Sequence, residues 1–247
     1  MKQKIYFLGD HKCGFHLLQY LYKNIINLKL KKYNCILRRF FIFWDNYYTT
    51  NDKYIIIIRN PREVVISGYL YHKNQCKNFT KFEKWSRNSE YSFYYYYINS
   101  IPKKIRSNPK YQKFLKMGES FSKETPYVDV LNNLSQEDGI IFEINNVSKL
   151  AIWGMNNLTN YYGKNNVLVI KYNELVFDLE KICSKIVNFL DISEYYNIVL
   201  INLEKQNLLI LKKKNQIPNH TTNKTVKTNR YLHYWNEKIE NEFKKIR

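Results

Sequence analysis

Residues 54–73, which read YIIIIRNPREVVISGYLYHK, limit what this chain can fold into more than any other stretch does. Residues 54–58 are almost wholly apolar and β-branched, the pattern of a strand buried on both faces of a parallel sheet. The run ends in Arg59-Asn60-Pro61. Proline restricts its predecessor to extended geometry and presets its own φ for a turn or a first helical position. A helical pattern follows, with Val64, Val65 and Gly68 on one side. Strand, tight turn and helix leave Arg59 at the carboxyl end of a strand, where open α/β sheets bind their ligands. Arg59 offers a planar fork of donors suited to a phosphate, and Ser67, two turns along the helix, adds a hydroxyl.

A second anion motif precedes the first. Residues 4–8 (KIYFL) read as a strand, residues 9–16 (GDHKCGFH) as a loop with two glycines and a lysine, and residues 17–26 as a helix with apolar residues at helical spacing. In such an arrangement backbone N–H groups and the positive end of the helix face a phosphate, and Lys12 adds a point charge. The loop lacks the Lys-Ser or Lys-Thr that follows the second glycine of a nucleoside triphosphatase P-loop, which argues against a nucleotide kinase.

The order of the two motifs, loop first and arginine strand second, resembles the sulfotransferases that use 3′-phosphoadenosine 5′-phosphosulfate (PAPS). Their R-[DN]-P-R-[DE]-x-x-x-S-x-Y segment is matched at every fixed position by Arg59, Asn60, Pro61, Arg62, Glu63, Ser67 and Tyr69. Their 5′-phosphosulfate loop, roughly [PH]-K-[SCTA]-G-[TS]-[TS]-[WFY]-[LM], is matched by His11, Lys12, Cys13, Gly14 and Leu18, while Phe15 and His16 stand where two hydroxyl residues are usual. The resemblance implies that Lys12 and the amides of Cys13, Gly14, Phe15 and His16 hold the 5′-phosphate end of the donor. It implies that Arg59 and Ser67 hold the 3′-phosphate.

The same resemblance extends along most of the chain. Residues 34–44 read as a second strand, and the family places its catalytic base near the end of that strand, which makes Asp45 the candidate base, with His16 and His72 as alternatives. Residues 74–124 carry dense aromatics interleaved with lysines and no recognisable catalytic pattern; in the family this region builds much of the acceptor pocket. Residues 125–153 read as two helices joined at 134–136, with Ser135 as a helix opener, and resemble a segment of one bacterial branch whose glutamate is Glu143. Residues 166–170 read as a further buried strand, followed by Tyr172 in a string the family places near the nucleotide, then a helix over 177–190. The family closes its nucleotide site with an R-K-G-x-x-G-x-W loop. Here Lys224 matches the lysine, but both glycines and the first arginine are missing, leaving Lys224, Lys227 and Arg230 as cations for the 3′-phosphate. Residues 236–246 read as an exposed helix.

At 247 residues the chain suits one α/β domain over 1–247, with a central parallel sheet flanked by helices and a phosphate-binding strand–loop–helix at its N-terminus. The formal charge of +19 calls for an anionic partner without choosing among nucleotide, nucleic acid and membrane surface. The four cysteines show neither a C-x-x-C pair nor metal-ligand spacing, so no metal is expected and a reducing compartment is. No leader and no apolar run of spanning length is evident, which makes a soluble cytoplasmic protein the expectation. The implied function is transfer of a sulfuryl group from PAPS to a hydroxyl or amine acceptor, with the nucleotide donor and that acceptor as partners, and without nucleic acid or membrane. A nucleotide-binding homologue without activity, and a basic nucleic-acid-binding protein, are the other readings. Neither the acceptor nor the oligomeric state is written in the sequence.

Overall fold

A computed structural model describes residues 2–10, 12–39, 48–74, 127–205 and 229–246. The fold is α/β, and the described residues form a parallel four-stranded sheet. Strand β1 (Gln3–Gly9) leads to helix α1 (Phe15–Asn27), and β2 (Tyr33–Arg39) and β3 (Lys53–Ile58) come before α2 (Pro61–Asn74). Next come α3 (Tyr127–Asn133), α4 (Gln136–Glu143), a π-helical turn at Ile144–Ser148 and α5 (Lys149–Leu158). Strand β4 (Val167–Lys171) precedes α6 (Tyr172–Phe177), α7 (Leu179–Phe189) and α8 (Tyr196–Glu204), and α9 (Glu237–Lys244) lies near the end.

Contacts group the chain into two compact units, residues 1–60 with 154–228, and residues 61–153 with 229–247. The first holds the whole sheet, ordered β2-β1-β3-β4 with every pair parallel. Period-two alternation sends Ile5, Phe7, Ile55 and Ile57 into one core with Leu18, Leu21 and Ile25 of α1 and Ile182, Ile186 and Val187 of α7. The other face is closed to water as well: Tyr54 and Ile56 are buried, and the Tyr54 ring stacks on Tyr6 at 5.2 Å. Strand β3 therefore has no solvent face, which is why its sequence shows a continuous apolar run.

The second unit is helical among the described residues. Pro61 opens α2, and the Ser135 hydroxyl accepts the Asp138 amide at 3.1 Å to cap α4. Asn236 caps α9 in the same way, accepting the Ile239 amide at 3.0 Å. Two segments differ from the sequence-based expectation. The helix expected over 177–190 is broken at Asp178, and a separate short helix, α6, follows β4 directly. The second helix of 125–153 does not stop there but passes through the π turn into α5.

Candidate functional site

The sheet order means that the chain leaves β1 toward one edge and β3 toward the other. The crevice outside the carboxyl ends of two such strands is the general ligand position of open parallel sheets. Both anion motifs of this chain end there.

In the loop after β1, the Cys13 amide donates to the Asp10 carbonyl at 3.2 Å, and the Leu18 amide to the Gly14 carbonyl at 3.2 Å opens the helical ladder. Lys12 takes φ 60° and Gly14 φ 98°. A Cβ on Gly14 would lie 2.7 Å from Cδ2 of Tyr172 and 2.8 Å from Cδ1 of Ile57, so close approach and left-handed backbone both demand glycine. The loop is thereby pressed against the ends of β3 and β4. The amides of the first turn of α1 face outward at the positive end of the helix dipole.

Arg59 is tied into the same place. Its Nη1 donates to the Lys12 carbonyl at 3.1 Å, and its guanidinium carbon lies 4.5 Å from the centroid of the Tyr172 ring. Strand register explains the stacking: Ile58 is paired with Lys171, so the next residue on each strand falls side by side. Lys12, Arg59 and the start of α1 thus concentrate positive charge at one end of the sheet, tempered by Asp10, a carboxylate only 1% exposed.

The remaining loop side chains contribute differently. Cys13 is fully buried with Sγ 3.6 Å from Sδ of Met155. Burial above all, then the Asp10 charge, pushes its thiol well above the ordinary range, against the opposing pull of Arg59. An un-ionised buried thiol leaves Cys13 only its backbone to offer. Phe15 belongs to the core, and exposed His16 shares a hydrogen bond with Oε1 of Gln19 through Nδ1, at 3.2 Å. The Phe15 side chain is thus committed to packing, and the amides of both residues lie in the first turn of α1.

Ser67 lies in the second unit, 5% exposed on α2. There two other residues of the arginine motif hold the C-terminal segment. Arg62 makes a bidentate pair with Glu240, Nε to Oε2 at 2.9 Å and Nη2 to Oε1 at 2.6 Å, and its guanidinium lies 5.0 Å from the Phe243 ring centroid. The Tyr231 amide donates to Oε1 of Glu63 at 3.0 Å. His11, Asp45, Lys224 and Lys227 lie outside the described residues.

The model of the sulfotransferase domain family matches residues 42–245. The chain belongs to the sulfotransferase domain family. The match takes in the arginine motif, Glu143 and the C-terminal segment, and begins after the loop at residues 9–16, whose part in the site rests on its own geometry. Among solved structures, mouse sulfotransferase SULT7A1 complexed with PAP is similar at 16% identity and a TM-score of 0.49, over 100% of this chain and 82% of that one. No curated protein matches the chain.

Several features of this sulfotransferase are not visible in its motifs. Asp10 reads as a loop residue yet is buried beside the cations, and only its place directly after a strand hinted at it. Tyr172 serves as the stacking platform for Arg59, a pairing that needs the β3–β4 register to be seen. Glu143 is fully buried and bonded to His72, Tyr127 and Ser148. His72, an alternative base, is 1% exposed with Nδ1 2.9 Å from Oε2 of Glu143. Among the described residues no three His, Cys, Asp or Glu side chains are grouped to hold a metal ion, and no helix is long and apolar enough to cross a membrane.

Proposed function

We propose that this sulfotransferase transfers a sulfuryl group from PAPS to a hydroxyl or amine acceptor. The observation that carries this reading is the convergence of Lys12, Arg59 and the start of α1 on the carboxyl ends of β1 and β3, locked by the Arg59 bond to the Lys12 carbonyl. Their donor set suits a nucleotide with phosphates at both ends. Lys12 neutralises charge on the 5′-phosphate and on the oxygen that bridges it to sulfur, and the first-turn amides of α1 hold the same phosphate. Arg59, preoriented by Tyr172, and Ser67 bind the 3′-phosphate, with Lys224 and Arg230 as further cations. In the transfer, the acceptor oxygen or nitrogen bonds to sulfur, the bridging S–O bond breaks, and adenosine 3′,5′-bisphosphate leaves. Asp45 takes the acceptor proton. Fixed charges that need no rearrangement during the reaction are the main source of rate in transfers of this kind. Residues 74–124 supply the acceptor pocket, and the protein works in the cytoplasm without a metal.

Thermal unfolding of the full chain with adenosine 3′,5′-bisphosphate, ATP or AMP tests the donor. At about a hundred times its dissociation constant the bisphosphate adds roughly 2.7 kcal/mol, a shift of about 5–10 °C for a chain of this size. The expected result is a shift specific to the 3′-phosphorylated nucleotide and lost in Arg59→Ala. An equal shift with ATP would overturn the reading.

A further inference from the structure

We infer that Glu143 is a positioning residue for recognition of the 3′-phosphate, acting through Gly68 and His72 to fix the turn of α2 that carries Ser67. This rests on the donor reading above, in which Ser67 touches that phosphate. Glu143 is fully buried, and its carboxylate is satisfied from three sides. Oε2 accepts the Tyr127 hydroxyl at 2.8 Å and bonds Nδ1 of His72 at 2.9 Å, while Oε1 accepts the Ser148 hydroxyl at 2.8 Å. Burying a carboxylate is costly even when paired, and apolar residues of similar volume usually stabilise a core at least as well. A core role alone therefore explains such a group poorly.

What the carboxylate does is set by its contact with α2. A Cβ built on Gly68 would fall almost onto Oε1 of Glu143 and 3.1 Å from the Ser148 hydroxyl oxygen, so the carboxylate rests directly on the helix backbone. His72 follows Gly68 by four residues and lies on the same stripe one turn later. Glu143 thus grips α2 at two levels, which fixes both the height and the rotation of the turn between them. Ser67 is the neighbour of Gly68 and moves with it. The grip also explains the π turn at Ile144–Ser148: directly after Glu143 the wider turn brings Ser148 back to Oε1.

Calorimetric titration of the full chain with adenosine 3′,5′-bisphosphate and with AMP separates positioning from stability. The wild type is expected to prefer the bisphosphate. In Glu143→Ala that preference falls about tenfold, the scale of one hydrogen bond to a charged group, through loss of bisphosphate affinity with AMP affinity unchanged. In a Ser67→Ala background the same substitution changes the preference by less than about twofold, because the two residues act as one unit. Ser148→Ala removes a single donor and lowers the preference by about threefold, and it carries the test if Glu143→Ala does not fold. A folded Glu143→Ala or Ser148→Ala with wild-type preference, or losses that add fully to that of Ser67→Ala, overturns the inference while leaving the donor reading intact. A wild type that does not prefer the bisphosphate overturns both.

Discussion

Arg59 shows how one side chain can complete a loop and prepare a ligand site. Its charge alone does neither: the Nη1 bond to the Lys12 carbonyl closes the loop onto the strand, and the flat guanidinium lies on Tyr172. Lysine keeps the charge but loses the fork and the stacking, so Arg59→Lys is expected to weaken binding of adenosine 3′,5′-bisphosphate about tenfold in calorimetry, with AMP little changed. Gly14 carries a second residue-scale expectation. Gly14 and Gly163 both have positive φ, 98° and 80°, but a Cβ at Gly163 meets nothing within 4 Å whereas one at Gly14 strikes Tyr172 and Ile57. Gly163→Ala should therefore cost about 1 kcal/mol in urea unfolding, the backbone contribution alone, and Gly14→Ala about 3 kcal/mol. Equal costs would refute the close approach of loop and sheet. Arg59 and Gly14 were both legible in the sequence, because a strand, a loop and a fixed string of residue types suffice to mark them. The burial of Asp10 and the stacking of Tyr172 on Arg59 were not, since they depend on packing and strand register, which a linear string does not encode.

At the scale of elements, strands were the most readable. Strand β3 stands within one residue of its apolar run, because a strand buried on both faces leaves no alternation to misread. Helix α8 leaves no such mark in the sequence, for a related reason. Val199 and Leu203 are buried, but Ile198 and Ile201 are 49% and 51% exposed, so apolar residues surround the helix and no clear 3.6-residue period appears. The pairing of α2 with α9 was also hidden, although Arg62 and Glu63 belong to the recognised motif. It carries a pH prediction. The Arg62 hydrogen bonds above all, against the cost of burial and helped by the Trp235 indole N–H at 2.6 Å, hold the Glu240 carboxyl down to about 2 from an ordinary 4.5. A depressed carboxyl stabilises the fold fully above its unfolded value and progressively less as pH falls through its folded one. Stability contributed by Glu240 should thus be complete above about pH 4.5 and fade toward pH 2. Glu240→Gln is expected to lower the urea midpoint at pH 7 and to flatten its fall between those two values. A variant whose acid limb overlays the wild type would show that the pair contributes nothing.

For the molecule as a whole, the formal charge of +19 is the property most open to misreading, because it attracts any polyanion. The sequence scatters its lysines, and the structure gives a reason to separate that diffuse field from the site. Arg59 is partly buried and held by the Lys12 carbonyl and the Tyr172 ring, so its attraction for a phosphate is screened far less than that of exposed lysines. The two kinds of binding should therefore part company as salt rises. A protein that neutralises six to ten phosphates through exposed cations loses about 10³–10⁵ in affinity between 50 and 200 mM salt. A single-stranded oligonucleotide, followed by fluorescence anisotropy, is expected to bind the full chain at low salt and to lose nearly all affinity over that range. Adenosine 3′,5′-bisphosphate carries few charges, releases few counterions and should lose no more than about tenfold over the same range. Oligonucleotide binding that survives 200 mM salt while bisphosphate binding does not would reverse the assignment. It would make the basic surface the working site and the ordered loop and arginine strand a scaffold for it.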